Sequence, residues 1–308
     1  MNVRGNFSDF FDTTMLPAMD ALIDTGMQEV PPMYNRILDE DNTTRSIKQY
    51  SGVSGVGLLQ TVNEGGDTNT DTMVQLFDKT LRPGKFGLGV GASKELVEDD
   101  HWGIIKKRAV ALGISTGQTI EIQGASVMNN AFDVTNYPGP DGKALCSATH
   151  PLVKGGGTQS NLLSSAADLD VTSLELALTD WETIKTQEGF YQTWPTPRLL
   201  VAPLNRWNAV EILKSPMRSD TANHATNAFK YSEDGGVPEL LVWKFLTDPD
   251  AWFLVAAPAQ TELVWLWRKK PYTSSDYTEK NETGIVYKRY RADFGFYGWK
   301  GVYGTPGA

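Results

Sequence analysis

Residues 45–92 place the hardest constraint on how this chain folds. From Arg45 to Val62 apolar residues alternate with small or polar ones, the pattern breaks at NEGGDTNTDT, and it resumes in MVQLFDKTLRPGKFGLGVGAS. This reads as two long strands joined at a polar tip. A two-stranded ribbon has little core of its own and is marginal when alone in water. It must therefore lie against something else, most simply a neighbouring copy of the chain.

The ribbon ends in GLGVGASKEL (87–96), which looks at first like a phosphate-binding glycine loop. A dinucleotide fingerprint needs Gly-x-Gly-x-x-Gly after a strand and opening a helix, with an acidic residue about 20 positions on. Here Ala92 and Ser93 stand where the third glycine belongs, and no Gly-Lys-Ser/Thr closes a P-loop. Gly87, Gly89 and Gly91 are better read as glycines of a bent strand that lets another backbone approach. Beyond them, Ile105, Ala109, Leu112, Thr116, Ile120 and Val127 recur at helical spacings and predict a long helix. Over residues 101–132 it would span about 48 Å. Gly113, Gly117, Gly124 and the strand-like TIEI at 119–122 oppose a continuous helix.

Residues 1–40 have sparse periodicity and read as an extended arm, with a few helical turns in PAMDALIDTG that end at Gly26 and at Pro31–Pro32. A loop rich in Pro, Gly and Ser runs from Thr135 to Ser165. Thr172 and Glu175 then form a capping box, opening a helix whose face is Leu174, Leu178, Trp181 and Ile184 and which ends at Gly189. PRLLVAP reads as a buried strand, LNRWNAVEILKS as a helix capped by Asn205, and PELLVWKFLTDPDAWFLVAAP as two strands about an Asp-Pro-Asp turn. Leu263, Trp265 and Trp267 alternate as in a strand, and TGIVYKRYRADFGFYGWKGVYG closes the chain with strands.

With 308 residues, 40 % of them hydrophobic, the chain can bury a substantial core. Its 28 Lys and Arg against 37 Asp and Glu leave a net charge of −9, which argues against a surface built as a whole to grip nucleic acid. No basic start with an apolar core marks a secretory signal, and no apolar run approaches the roughly 18 residues of a membrane helix, so the chain reads as soluble. Cys146 is the single cysteine, which excludes an intrachain disulfide and a multi-thiolate metal site and suits an intracellular setting.

Catalytic signatures are missing. The histidines are His101, His150 and His224, without a His-Glu-x-x-His pair. Cys146 and His150 are the one conceivable nucleophile and base, but both lie in the glycine-rich loop, which reads as solvated. The runs Asp39–Glu40–Asp41 and Glu98–Asp99–Asp100 lack calcium-loop spacing and read as solvated charge. Trp207, Trp243, Trp252, Trp265, Trp267 and Trp299 suit core filling or subunit contacts better than a sugar platform. NFS at 6–8 and NTT at 42–44 are glycosylation sequons that carry no meaning without a signal peptide. No catalytic, cofactor-binding or metal-binding residue is nominated.

Four stretches, in order, resemble the Mu-like major head subunits of tailed bacteriophages: DGKALCSATHPLVKGGGTQSN (141–161), LLVAPLNRWNAVEIL (199–213), DPDAWFLVA (248–256) and ADFGFYGWKGVYG (292–304). The resemblance implies an α+β chain with the Hong Kong 97 capsid fold. On it, residues 1–44 are an N-terminal arm and 45–92 an extended β-ribbon loop lying over an adjacent subunit. Residues 93–169 and 259–308 are a peripheral domain with a long spine helix, and 170–258 an α/β axial domain.

The implied function is that of a major capsid protein of a tailed double-stranded DNA phage, self-assembling into the pentamers and hexamers of an icosahedral shell. No enzymatic role or cofactor goes with it. Implied partners are other copies, scaffold, portal and decoration proteins, and packaged DNA held weakly and without sequence specificity. The implied location is the virion, after assembly in the host bacterial cytoplasm. An encapsulin-like shell storing cargo enzymes is the alternative on the same fold.

Overall fold

The computed structural model describes residues 13, 15–68, 70–99, 102–192, 194–217, 226–231, 236–278, 280 and 282–308. In chain order, helix α1 (Leu16–Gln28) precedes strands β1 (Asp39–Asn42), β2 (Lys48–Val53), β3 (Gln75–Leu81) and β4 (Gly84–Ser93). Helices α2 (Lys94–Glu98) and α3 (Trp102–Asn129) follow, then a two-residue hairpin of β5 (His150–Pro151) and β6 (Thr158–Gln159). Helix α4 (Val171–Thr183), β7 (Arg198–Val201), α5 (Arg206–Lys214), α6 (Ala228–Tyr231), β8 (Glu239–Val242) and β9 (Trp252–Val255) come next. Strands β10 (Leu263–Thr278), β11 (Thr283–Phe296) and β12 (Val302–Thr305) close the chain. None of the described helices is long and apolar enough to cross a membrane.

Helix α3 is continuous for 28 residues, about 42 Å, and every apolar position predicted from its periodicity is buried. The glycines that argued against it are close contacts: Gly113 is where α1 crosses, Gly117 faces Val30, and Gly124 faces Tyr34 and Trp243. A Cβ on Gly113 would stand 2.0 Å from the Ile23 carbonyl oxygen, and one on Gly26 would stand 2.2 Å from that of Val110. The two backbones touch, and only glycine permits that approach. Met19 and Ile23 of α1 fill a small core with Ile105, Ala109 and Leu112. The expected extended arm is thus corrected: residues 16–28 form a packed helix that runs through Gly26. TIEI is corrected as well, because Ile120 and Glu121 turn inward from the helix and both are buried.

Two four-stranded sheets organise the rest. In one, the order is β1-β10-β11-β4, with β1 parallel to β10 and the other pairs antiparallel. In the other it is β12-β9-β7-β8, with β7 and β8 parallel. The largest core joins α3 to both sheets through Trp243, Trp265, Trp267, Phe253 and Leu200. A second core packs α4 and α5 on the second sheet through Leu174, Trp181, Ile212 and Trp252.

Several predicted details shift. The ribbon pairs only β2 with β3, because Gly84–Ser93 leaves it to pair with β11, and the described residues between Val53 and Gln75, expected to be strand as far as Val62, form an irregular connection. The two strands of 239–255 are not neighbours, since β7 lies between them. The capping box at the start of α4 is Asp170 with Ser173, not Thr172 with Glu175, and the helix stops at Thr183. Asn205 occupies the cap position of α5 without a side-chain cap bond and donates instead to the Pro249 carbonyl. The closing segment, grouped by sequence with the spine helix, crosses at its end to the other sheet, where β12 pairs with β9.

Candidate assembly site

The connection between β2 and β3 carries apolar side chains into water. Val53, Val56, Leu58, Leu59 and Met73 are all exposed, Leu59 completely. Scattered exposed leucines are ordinary, but a run along one projecting limb marks an interaction surface. At its root the ribbon is firmly held. Tyr50 stacks on Tyr297 at 4.9 Å and 7°, and its hydroxyl donates to Asp41 at 2.6 Å. Lys48 pairs with the same carboxylate. Burial pushes the Asp41 carboxyl up, but the bonds from Lys48 and Tyr50 outweigh it and hold the group below its usual range. Leu81 packs on Val264 and Leu266, so both faces of β10 are covered there.

Farther out, a polar latch ties the limb to the body. Lys154 reaches Asp71 at 2.6 Å and donates to the Gly55 carbonyl at 2.8 Å, while the Gly55 N–H donates to Glu188 at 2.5 Å. The bond from Lys154 is the main cause of the lowered pKa of Asp71. Nothing in the sequence signalled this contact, because Asp71 and Lys154 are far apart in the chain and each reads as solvated charge.

Cys146 and His150 are both buried, which corrects the expectation that they sit in a solvated loop, although the tip of that loop around residues 153–158 is exposed. His150 stacks on Trp299 at 4.8 Å, its Nδ1 lies 2.6 Å from Asp141 and its Nε2 3.0 Å from the Asn161 side-chain oxygen. The Asn161 amide nitrogen donates to the Leu145 and Val302 carbonyls at 2.8 and 3.0 Å, and its oxygen accepts from the Ser147 N–H at 2.8 Å. Both ring nitrogens are engaged within the loop, and Asn161 carries the link on to β12 through the Val302 carbonyl. Cys146 lies in the main core, where burial pushes its thiol pKa far up. A thiol kept protonated is a poor nucleophile. His101 and His224 lie outside the described residues.

Other nominated groups also have structural partners. Glu40 accepts from the Tyr34 hydroxyl at 2.6 Å, and Asp39–Asn42 is an edge strand. Among the described residues no three His, Cys, Asp or Glu side chains converge as a metal site. Trp243, Trp252, Trp265, Trp267 and Trp299 are buried, and Trp207 is exposed. Sequence reasoning missed two buried charges. Glu121 accepts from Trp243 Nε1 at 2.7 Å and from the Met33 N–H at 2.8 Å. Lys288 reaches Asp24 at 2.8 Å and Asp20 at 3.3 Å, fixing α1 to β11.

A projecting apolar limb, a polar latch and a buried staple are parts of an assembling subunit, and the family model described as "Phage capsid protein" matches residues 78–304. The chain belongs to the phage capsid protein family. Its architecture is the Hong Kong 97 type of capsid fold. Among solved structures, the procapsid of bacteriophage JBD30 is similar at 14% identity with a TM-score of 0.52, over 95% of this chain and 75% of that one. The mature capsid of bacteriophage PhiM1 aligns at 9% identity and TM-score 0.59, over 89% and 86%. A virus-like particle from Pyrococcus furiosus aligns at 9% and 0.57, over 95% and 100%. Identities this low speak to the fold alone. No curated protein matches the chain.

Proposed function

We propose that this family member is the major capsid protein of a tailed double-stranded DNA bacteriophage, of the Mu-like head-subunit type, and that it has no enzymatic role. The observation that carries the reading is the exposed apolar limb of the β2–β3 ribbon on a chain of the capsid family. A subunit that hides this limb must place it on another copy. The Mu-like subtype is supported by the 141–161 stretch, whose Asp141, His150 and Asn161 meet in one buried knot.

On this reading residues 1–44 are the N-terminal region, 45–92 the extended loop, 93–169 and 259–308 the peripheral domain with α3 as spine, and 170–258 the axial domain. Strand β12 crosses from the peripheral into the axial part. The subunit forms pentamers and hexamers of an icosahedral shell in the bacterial cytoplasm, works with scaffold, portal and decoration proteins, and resides in the virion around the genome.

The test is negative-stain electron microscopy of the purified protein, alone and with a phage scaffold, with mass analysis of the same sample. Closed shells, or rings of five and six that close with scaffold, are expected. A compact monomer under all salt and pH conditions overturns the proposal. A cargo-storing shell is the second reading on the same fold. Particles that carry one discrete enzyme and no DNA would establish it instead.

A further inference from the structure

The sheet of β10, β11 and β4 has one face turned to the body and one turned away. Alternation on β11 buries Val286, Lys288 and Tyr290 on the inner side and leaves Ile285, Tyr287, Arg289 and Arg291 on the outer side. The strand register sets Lys269, Arg291 and Lys85 directly opposite one another in one row across the sheet. With neighbouring strands about 4.8 Å apart, the row is about 10 Å wide. Tyr272 and Arg289 form the next row, ending at Gly87.

Lys269 Nζ sits 3.5 Å from the Tyr272 ring centroid, and the Arg289 guanidinium lies 4.2 Å over Tyr287. Strand β4 leaves room for these groups. A Cβ on Gly87 would stand 2.8 Å from Arg289 Cγ, and one on Gly89 2.5 Å from Tyr287 Cδ1. The outcome is a cationic, aromatic-braced surface. Among the described residues none of Lys85, Lys269, Arg289 and Arg291 has an ion-pair partner. The Asp293 carboxylate beyond the row accepts instead from the Arg82 and Phe294 N–H groups.

Like charges directly opposite on a sheet destabilise it. Three in a row, on a chain whose net charge is −9, point to an anion supplied from outside. We propose that this face binds the phosphate backbone of nucleic acid, resting on the reading that the protein encloses a genome. The contact is local and independent of sequence, since backbone phosphates carry no base information. An acidic segment of a second copy is the rival occupant. Residues 49–78 carry Glu64, Asp67, Asp71 and Asp78 and no Lys or Arg. Yet Asp71 is held by Lys154, and Asp78 accepts from Ser51 and Gln75.

The experiment is fluorescence anisotropy of a labelled mixed-sequence DNA duplex with the purified protein, titrated across salt. Three neutralised phosphates predict an affinity that falls about 40-fold between about 50 and 200 mM salt. The triple variant Lys85→Ser, Lys269→Ser, Arg291→Gln should bind at least about tenfold more weakly and lose nearly all of that salt slope. Lys107→Ser, on the exposed side of α3, should match the parent, and an unchanged melting profile of the triple variant would show that it folds. Absence of duplex binding by the parent overturns the inference, as does unchanged binding by the triple variant. Unchanged binding combined with loss of shell closure would assign the face to a second copy. Shells without duplex binding would overturn this inference and leave the capsid reading standing; binding without shells would do the reverse.

Discussion

Asp141 and His150 are joined at 2.6 Å with almost no exposure of either side chain. Burial pushes the Asp141 carboxyl up, but the hydrogen bonds from His150 and from the Lys143 N–H outweigh it and hold the pKa below the ordinary value. A carboxyl whose pKa is lowered by folding adds stability above its unfolded value, about 3.9, and loses it as pH falls through the folded value. Asp141→Asn is therefore expected to lower stability by about 1.5–3 kcal/mol at neutral pH, the worth of a buried hydrogen bond to a charged group. The deficit should shrink as pH is brought below about 4, where the unfolded carboxyl takes up its proton, and vanish once pH has passed the lower folded value. Urea unfolding of both proteins at the two pH values checks this, and an equal deficit at both would refute it. Cys146 gives a second expectation: with its thiol buried and protonated, a thiol reagent should label it only on unfolding, and rapid labelling of the native protein would restore it as a candidate nucleophile. The stretch containing these residues was legible as a resemblance, but its role was not. Trp299 and Val302 complete the knot from the far end of the chain, and composition made the loop look solvated.

At the scale of elements, periodicity located α3, while the glycines within it looked like faults. They are contact points. Gly113→Ala would gain about 1 kcal/mol of helix propensity. It would also place a Cβ 2.0 Å from the Ile23 carbonyl oxygen, so α1 and α3 must separate and uncover Met19, Ile23 and Leu112. The packing loss wins, and a net destabilisation of about 2 kcal/mol or more is expected in denaturant unfolding. A stabilised variant would show that the crossing yields without cost. Gly103, with open space around its Cβ position, is the control where Ala should stabilise. The same logic explains what alternation missed in the ribbon. Strand β4 continues the pattern of the returning ribbon strand, but its partner is β11, nearly two hundred residues later, and local pattern carries no information on pairing.

For the whole molecule, the decisive quantity is the apolar surface that the isolated chain leaves in water. Leu58 and Leu59 of the exposed limb bury almost nothing in its own body, and the Lys154–Asp71 latch fixes the limb's direction without covering them. Side chains that contribute nothing to the subunit's own core are neutral to its stability when changed. Replacing Leu58 and Leu59 with Ser should therefore move the unfolding free energy by no more than about 0.5 kcal/mol. In the assembled state each leucine side chain removed from water is worth about 1.5–3 kcal/mol, so losing two per subunit weakens every contact of a many-subunit shell. The expected phenotype is a normally folded chain that no longer closes shells, read by melting profile and electron microscopy of one preparation. Lys154→Met separates direction from stickiness: it keeps both leucines but frees the limb, so hydrogen exchange across residues 55–71 should rise while subunits still associate, into irregular rather than closed particles. If the leucine variant closes shells at the parent's yield, the ribbon is not the clasp between subunits, and the apolar limb must face some other partner.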